Sequence, residues 1–287
     1  MTARPRSSVH RGSSRLTGTL PLVTEPIRVG VFGAGGRMGA VVCQAVLGDP
    51  ELELVAAVDP HYDGIDLVQR GIASDLRIAG GTEALAAAGA EVAVDFTVLD
   101  AARKNLEWCA DHGVHAVVGT TGFLDDDLAH FAKRFVDSAA NAVIAPNFAI
   151  GAVLMMRFAE LAAPYFDSAE IVELHHDEKV DAPSGTALMT ANRMAAASDE
   201  WTADPTQRWV LDSARGGAGP AGIRVHSVRM RGLVAHHEVL LGTAGQSLSI
   251  RHDSYDRTSF MPGVLLAVRN VRDRPGLTVG LDALLGL

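Results

Sequence analysis

The chain has 287 residues, of which 48% are apolar and 21% charged, with 29 glycines and a formal net charge of −9. This composition excludes a disordered or collagen-like chain, and the acidic balance argues against nucleic acid as the main partner. At roughly 150 residues per domain, the length predicts about two domains.

Residues 1–26 differ from the rest of the chain. They carry four arginines and several serines and threonines, with no acidic residue before Glu25. The segment lacks the apolar core of a secretory signal, and its weak helical amphipathicity makes the likeness to an organellar transit peptide superficial. A disordered tail or a start codon placed too early are the simpler interpretations, because such a segment buries too little to offset its ordering entropy.

From residue 27 onward, short apolar runs alternate with amphipathic segments. The predicted strands are 27–32, 52–58, 92–96, 114–118 and 143–145, and the helices between them include 39–47, 101–111 and 124–135. Such alternation predicts right-handed crossovers and a parallel sheet with helices on both faces. The fold class is therefore α/β, with a parallel sheet covered by helices.

The pattern changes after about residue 150. A predicted helix (152–161), a strand (169–174), a polar loop, a helix from about residue 186 and three β-like runs (223–230, 235–241 and 247–253) indicate a smaller mixed α+β domain. A helical segment (260–272) and a strand-like one (277–279) follow. We predict a leader (1–26), a first domain (27–149), a second domain (150–258) and a return to the first domain (259–287).

Two cysteines, Cys43 and Cys109, are too few for a disulfide framework or a cysteine-only metal site. Their apolar surroundings predict buried packing residues. No stretch reaches the ~18 consecutive apolar residues of a membrane-spanning helix. We therefore expect a soluble, cytoplasmic protein with no membrane or nucleic-acid partner.

The first strand runs into a glycine-rich turn of the pattern G-x-x-G-x-x-G, formed by Gly33, Ala34, Gly35, Gly36, Arg37, Met38 and Gly39. Such glycines let backbone N–H groups approach a pyrophosphate, which the next helix N-terminus also attracts. The second strand ends in Asp59, where an acidic residue receives ribose hydroxyls. The Asp59 carboxylate would repel the 2′-phosphate of NADPH. The next two residues, Pro60 and His61, include no arginine that could bind that phosphate. We therefore predict NADH or NADPH as cofactor, with a leaning to NADH and dual use left open.

Two further loops fall where strands of the predicted sheet end, which is where open parallel sheets bind ligands. They are Gly119-Thr120-Thr121-Gly122 and Ala145-Pro146-Asn147-Phe148. Both suit hydrogen bonding to a nicotinamide carboxamide, although ordinary turn chemistry accounts for each of them equally well.

The segment 175–187 is the richest in chemistry. His175, His176 and Lys179 supply proton donors and positive charge for an anionic substrate, although histidines on a solvated loop can also lack a role. A helix then begins near Thr186, and its exposed amides would hold a carboxylate. No metal site is predicted, because adjacent histidines point in different directions and no metal-ligand spacing is present.

Other histidines are interpreted as structural. His236 and His237 lie inside an apolar β run, so we expect one side chain to face inward and the other outward. His112, His115 and His130 are isolated in the sequence.

Together, these motifs resemble one family, 4-hydroxy-tetrahydrodipicolinate reductase, long called dihydrodipicolinate reductase. The matching segments are 31–39, 95–97, 119–123, 145–151, 173–187, 251–254 and 256–260. The likeness runs from about residue 27 to the end. It implies a Rossmann-like, dinucleotide-binding cofactor domain (27–149) and a substrate-binding α+β domain (150–258) whose sheet builds a homotetramer, with a hinge between them. It also implies reduction of a cyclic dicarboxylate, 4-hydroxy-tetrahydrodipicolinate, to tetrahydrodipicolinate with loss of water, in diaminopimelate and lysine biosynthesis.

The resemblance also implies roles for single residues. His175 would be the proton donor and Lys179 the second acid. The substrate carboxylates would contact His176, Gly185 and Thr186. The cofactor would be bound by the turn residues from Gly33 to Met38 and by Asp59, Phe96, Thr97, Gly119, Thr120, Thr121, Ala145, Pro146, Asn147, Phe148, Arg257 and Phe260. One departure from the family pattern is Asp177-Glu178, two acids that would raise the pKa of the neighbouring histidine and lysine if they faced them.

Two other functions are compatible with a cofactor domain of this kind. An amino-acid dehydrogenase of similar architecture would need a different loop in the second domain. A nucleotide-sensing binding protein would need no convergent proton donors. The His-His-x-x-Lys cluster argues against both, and cofactor binding without turnover would identify the sensor.

Overall fold

Two β-sheets organise residues 25–287, the part of the chain that the computed structural model describes. The predicted leader lies outside the described residues except for its last two. The strands are β1 (Ile27–Phe32), β2 (Leu52–Val58), β3 (Val92–Asp95), β4 (His115–Val118), β5 (Ala142–Ile144), β6 (Ser168–His175), β7 (Gly217–Ala218), β8 (Arg224–Arg229), β9 (Ala235–Thr243), β10 (Gln246–Ser254) and β11 (Leu277–Val279).

The first sheet has six strands in the order β11-β5-β4-β3-β1-β2, and every pair in it is parallel. The last strand, β11, comes from the end of the chain and pairs with β5. Helices cover both faces, which explains why these strands read as continuous apolar runs in the sequence.

The helices are α1 (Arg37–Leu47), α2 (Glu83–Ala87), α3 (Leu99–His112), α4 (Asp125–Val136), α5 (Ile150–Ala162), α6 (Gly185–Ala197), α7 (Met261–Asn270) and α8 (Asp282–Leu285). None of the helices in residues 25–287 is both long and apolar enough to cross a membrane.

Two hydrophobic cores lie on opposite faces of the first sheet. Successive residues of β4 enter different cores: Val117 belongs to the core that includes residues of α1 and α7, whereas Ala116 belongs to the core that includes residues of α3 and α4. Cys43 lies in the first core and Cys109 in the second, and both are buried. Burial raises the pKa of Cys43 to about 12. The prediction that both cysteines are buried packing residues is confirmed.

The second sheet is mixed, with the strand order β10-β9-β6-β8-β7. Strands β6 and β8 run parallel, and the other pairs are antiparallel. Helices α5 and α6 pack against one face, so the first core continues beneath this sheet. The register sets Glu173 of β6 opposite His237 of β9, and His175 opposite Arg229 of β8.

Candidate functional site

The glycine-rich turn joins β1 to α1 at the carboxyl end of the first sheet. Gly33 has φ +68°, in the left-handed region that favours glycine. A Cβ on Gly39 would lie 2.0 Å from the Gly33 carbonyl oxygen, so α1 packs against the turn more closely than a side chain permits. Helix α1 has no side-chain cap and no acidic residue in its first turn. Its N-terminal N–H groups are therefore available to an anion.

A pocket of about 360 Å³ opens beside this turn. Gly33, Gly36, Phe96 and Thr97, all predicted cofactor residues, line it together with Asp59. The Asp59 carboxylate is buried and accepts two backbone N–H groups, from Gly35 at 3.1 Å and His61 at 3.0 Å. The structure thus brings together the glycine turn, the acid after β2 and the loop after β3.

Buried Asp95 organises the loop after β3. Its Oδ1 accepts hydrogen bonds from the Thr97 backbone N–H and hydroxyl, both at 2.7 Å, and its Oδ2 accepts one from Asn105 at 2.7 Å. The Thr120 hydroxyl in turn donates to the Thr97 carbonyl oxygen at 3.1 Å. Asp95 therefore connects two of the loops predicted to contact the cofactor, a role that the sequence motif alone did not reveal.

The other predicted cofactor residues do not line this pocket, and they differ in burial. A Cβ on Gly119 would meet the Phe96 ring at 2.1 Å, and the rings of Phe96 and Phe148 lie 5.7 Å apart. Buried members of the set are Ala34, Gly35, Thr120, Ala145 and Phe148, whereas Arg37, Thr121, Pro146 and Arg257 are exposed, and Met38, Asn147 and Phe260 are half-buried.

A second cleft, of about 180 Å³, lies where the loop after β5 meets the second sheet. Pro146, Asn147, His175, Thr186 and Phe260 are among its lining residues. The Asn147 amide donates to the Thr186 hydroxyl at 3.3 Å. This hydrogen bond joins a predicted cofactor loop to a predicted substrate residue, so the two sets meet in one cleft.

The remaining predicted substrate residues do not line this cleft. His176 and Gly185 are exposed. The Lys179 ammonium donates to the Asp181 carboxylate, at 2.7 and 2.9 Å to its two oxygens. Lys179 lies on the loop between β6 and α6, and its ammonium charge is paired with Asp181.

The ring of His175 is held by Glu173, whose side chain is fully buried. His175 Nδ1 lies 2.5 Å from Glu173 Oε2, and Arg229 donates to both Glu173 oxygens at 2.8 and 2.9 Å. Burial raises the pKa of Glu173, but the donors around it, Arg229 foremost, lower it to about 2. Because an ionised carboxylate only accepts, His175 donates its Nδ1–H. Its Nε2 is the nitrogen left for a substrate.

The pKa of His175 itself lies below its ordinary value. Burial is the largest cause, and Glu173 opposes it by stabilising the charged ring. The positive charges of Lys179 and Arg229 lower the pKa further.

Residues 27–148 match the family model described as "Dihydrodipicolinate reductase, N-terminus", and residues 151–285 match "Dihydrodipicolinate reductase, C-terminus". The chain belongs to the dihydrodipicolinate reductase family. A 4-hydroxy-tetrahydrodipicolinate reductase from Cutibacterium acnes is 53% identical over 91% of this chain and 99% of its own length. One from Mycobacterium marinum is 49% identical over 91% of this chain and all of its own length.

A solved structure supports the same family. The dihydrodipicolinate reductase of Paenisporosarcina sp. TG-14, with dipicolinate bound, is 39% identical and has a TM-score of 0.79, covering 90% of this chain and 99% of that one. An amine dehydrogenase from Mycobacterium smegmatis, 15% identical with a TM-score of 0.61, shares only the fold. The predicted family, fold class and enzyme class, an NAD(P)H-dependent reductase, are confirmed.

Two further histidines, His237 and His252, line the second cleft. Neither was predicted as a site residue. His237 and His252 face each other across β9 and β10. Burial lowers the pKa of His237 to about 4. Within residues 25–287, its Nε2 has no hydrogen-bond partner. Only the strand register brings these rings beside His175, and the sequence gives no register.

The prediction for the pair His236-His237 is only partly right. Alternation along β9 places the two side chains on opposite faces, but both are buried and both line the cleft. His236 is covered because its Nδ1 pairs with Asp253 at 2.7 Å and its ring packs on Tyr255.

The two acids that depart from the family pattern lie at the surface. Asp177 and Glu178 are both exposed, and Asp177 accepts a hydrogen bond from Arg231 at 2.9 Å. The part of the chain that the structure describes contains no cluster of three or more candidate metal ligands.

Proposed function

We propose that the chain reduces 4-hydroxy-tetrahydrodipicolinate to tetrahydrodipicolinate, with loss of water, in diaminopimelate and lysine biosynthesis. The observation that carries the proposal is the second cleft, in which His175 lies beside Asn147 and Thr186. Three features line that cleft: His175 as the proposed proton donor, the loop of Asn147 next to the nucleotide pocket, and Thr186 at the start of α6. Family membership gives the reaction class, and the cleft suits a small cyclic dicarboxylate.

The nucleotide pocket fits a dinucleotide. The absence of side chains at Gly33 and Gly36 would allow a pyrophosphate to come close to the uncapped start of α1, and Asp59 in the same pocket could accept hydrogen bonds from a ribose. When bound, the reduced nicotinamide supplies the hydride. We propose as its contacts residues 33–38, Asp59, Phe96, Thr97, Gly119, Thr120, Thr121, Ala145, Pro146, Asn147, Phe148, Arg257 and Phe260.

The substrate would be held by its carboxylates and protonated by His175. Gly185 and Thr186 form the first turn of α6, whose N–H groups lack intrahelical partners and favour an anion. His176 and Lys179 add donors, and a dianionic substrate would compete with Asp181 for the Lys179 ammonium. His175 then provides a proton from Nε2, with Lys179 as second acid.

We further propose that NADH is preferred and that Arg70 permits use of NADPH. Asp59 favours a free ribose hydroxyl over a 2′-phosphate. Arg70, which was not among the predicted site residues, donates a hydrogen bond to the Gly35 carbonyl oxygen at 2.8 Å. Its guanidinium lies 4.6 Å above the centre of the Tyr62 ring. Its charge therefore stands at the same edge of the glycine turn as Asp59.

Substitution Arg70→Ala is expected to raise KM for NADPH by about tenfold, because a charge-assisted hydrogen bond is worth about 1.5–3 kcal/mol. KM for NADH should change less than about twofold, since NADH has no 2′-phosphate to lose. Steady-state kinetics with both nucleotides checks this, with Arg77→Ala as control because Arg77 pairs with Asp66. Equal changes for both nucleotides would show that Arg70 acts only on the shape of the turn.

We also propose that the second sheet builds a homotetramer and that the protein is cytoplasmic. Strand β10 forms one edge of that sheet, and Leu240 and Leu248 on β9 and β10 remain exposed. Light scattering is expected to give about four times the chain mass of 30.2 kDa. A monomeric mass would contradict the tetramer.

The decisive experiment follows absorbance of the reduced nicotinamide while the upstream synthase makes fresh substrate in the cuvette. Oxidation that depends on the synthase product is expected with NADH and, more weakly, with NADPH. Nucleotide binding without such oxidation would overturn the proposed function and would favour the nucleotide-sensing protein. A cuvette without synthase is the control for oxidation that does not require substrate.

A further inference from the structure

The buried carboxylate of Glu173 connects three parts of the candidate site. We propose that Glu173, clamped by Arg229, is a positioning residue that fixes the His175 ring and the start of α6 in a single arrangement. This inference rests on the proposed role of His175 as proton donor.

Strand geometry puts these groups on one face of the second sheet. Glu173 and His175 are two residues apart on β6, so their side chains share a face. On β8, Arg229 pairs with His175, and on β9, His237 pairs with Glu173. Three neighbouring strands therefore bring an acid, a guanidinium and two imidazoles together beneath the cleft.

The hydrogen bonds use the whole accepting capacity of the carboxylate. Oε1 accepts from Arg229 at 2.8 Å and from the Ser184 backbone N–H at 3.2 Å. Oε2 accepts from Arg229 at 2.9 Å and from His175 at 2.5 Å. With about four lone-pair sites filled by four donors, Glu173 is held from all sides and has no freedom to serve as a proton shuttle itself.

Arg229 extends this clamp to the polar loop. The same guanidinium that binds both Glu173 oxygens also donates to the Asp181 carbonyl oxygen at 2.7 Å. It therefore fixes the backbone of the loop that carries Lys179. A buried carboxylate needs such a partner, because an uncompensated charge in the interior is strongly destabilising.

The bond to Ser184 couples the proton donor to the anion-binding helix. Ser184 is the N-cap of α6, and its side chain accepts from the Ala187 backbone N–H at 3.2 Å. Glu173 holds the backbone N–H of this same residue. Movement of the carboxylate would therefore shift both the His175 ring and the amides of Gly185 and Thr186.

The charges around His175 give the proposal a directional test. The groups that face its ring are Glu173 on its own strand, Lys179 on the following loop, Arg229 on β8 and His237 on β9. Removing the negative charge of Glu173 destabilises the imidazolium and lowers the pKa of His175. Removing the positive charge of Arg229 does the opposite.

We would measure kcat against pH for the full-length enzyme and its Glu173→Gln and Arg229→Met variants. A proton donor must be protonated, so activity falls as pH rises through its pKa. Glu173→Gln is expected to move that falling limb to lower pH and to reduce kcat by up to about 100-fold, as misplacement of a catalytic group by about 1 Å can do. Arg229→Met should move the limb to higher pH, and Arg229→Lys, which keeps the charge, should leave it near the parental position.

A second readout does not depend on turnover. Carbon-13 labelling of the histidines allows the pKa of His175 to be measured by NMR in the resting enzyme, with the His175→Asn variant identifying its signal among the 11 histidines. Opposite shifts in Glu173→Gln and Arg229→Met are expected. If Arg229→Met does not fold because it leaves the buried Glu173 charge unpaired, Glu173→Gln and Arg229→Lys still carry the comparison.

The outcomes separate this inference from the proposed function. An unchanged His175 pKa in both charge-removing variants, with a folded protein, would overturn the positioning role even if the reductase assay succeeds. A wild-type enzyme without substrate-dependent oxidation would overturn the proposed function, whereas the NMR shifts would still report whether Glu173 and Arg229 control the His175 ring.

Discussion

Replacing His175 by asparagine is expected to lower kcat by about 10²–10⁴, the usual loss when a positioned proton donor is removed. In the parental enzyme Glu173 accepts the imidazole Nδ1–H of His175. The asparagine amide can still donate to Glu173, so the cleft should keep its shape. The dissociation constant of NADH, measured by fluorescence titration, should therefore stay within about twofold of the parental value. Stopped-flow and steady-state assays would give kcat.

A matched control is His226→Asn. His226 lies on β8 of the same sheet, but its Nε2 pairs with Glu170 at 2.7 Å and it does not line the cleft. Its substitution should leave kcat near the parental value. If His175→Asn also kept parental turnover while Lys179→Met lost it, Lys179 and not His175 would be the proton donor.

Much of the fold follows from the sequence because strands in a parallel sheet are buried on both faces. The apolar runs predicted for β1, β2 and β11 end where the observed strands end, at Ile27–Phe32, Leu52–Val58 and Leu277–Val279. Helix ends were less accurate: α5 was predicted over 152–161 and spans Ile150–Ala162. Apolar periodicity marks the buried face of a helix, whereas its ends depend on capping groups outside the pattern.

The site residues could be predicted only where chemically suitable side chains directly follow a predicted strand in the sequence. The glycine turn, Asp59 and the Phe96-Thr97 loop each follow directly after a buried strand, so the common edge of a parallel sheet brings them together. His237 and His252 reach the second cleft, and Arg229 reaches Glu173, only through pairing between β6, β8, β9 and β10. Pairing of distant strands sets which residues meet, and no local pattern encodes it.

The position of Arg70 beside the glycine turn was not predicted, for a different reason. The segment after Asp59 carries no strong periodicity, yet it folds back through two short 3-10 helices, Pro60–Tyr62 and Leu67–Arg70. The second of these returns Arg70 to the Gly35 carbonyl oxygen. No sequence pattern near Asp59 marks this return, so Arg70 could not be predicted as a neighbour of the glycine turn.

The second large effect is expected from Gly39→Ala, in the helix that follows the glycine turn. The new Cβ would lie 2.0 Å from the Gly33 carbonyl oxygen and 2.8 Å from the Ala34 Cα. Both neighbours are backbone, so relief requires α1 to move away from the turn rather than a side chain to rotate. Overpacking of this kind commonly costs about 1–3 kcal/mol. That cost predicts a loss of about 10–100-fold in NADH affinity, measured by fluorescence titration.

Gly48→Ala is the control, at the other end of the same helix. There a Cβ would approach the Gln44 carbonyl oxygen no closer than 3.4 Å, and the backbone φ of −82° suits alanine. NADH affinity should therefore be unchanged, although both variants add one methyl group to α1. Because His175 lies on the second sheet, away from α1, Gly39→Ala should leave its pKa unaltered, so lost affinity with an unchanged His175 signal would assign the defect to the turn. Parental NADH affinity in Gly39→Ala would show instead that the nucleotide does not depend on close packing of α1 against Gly33.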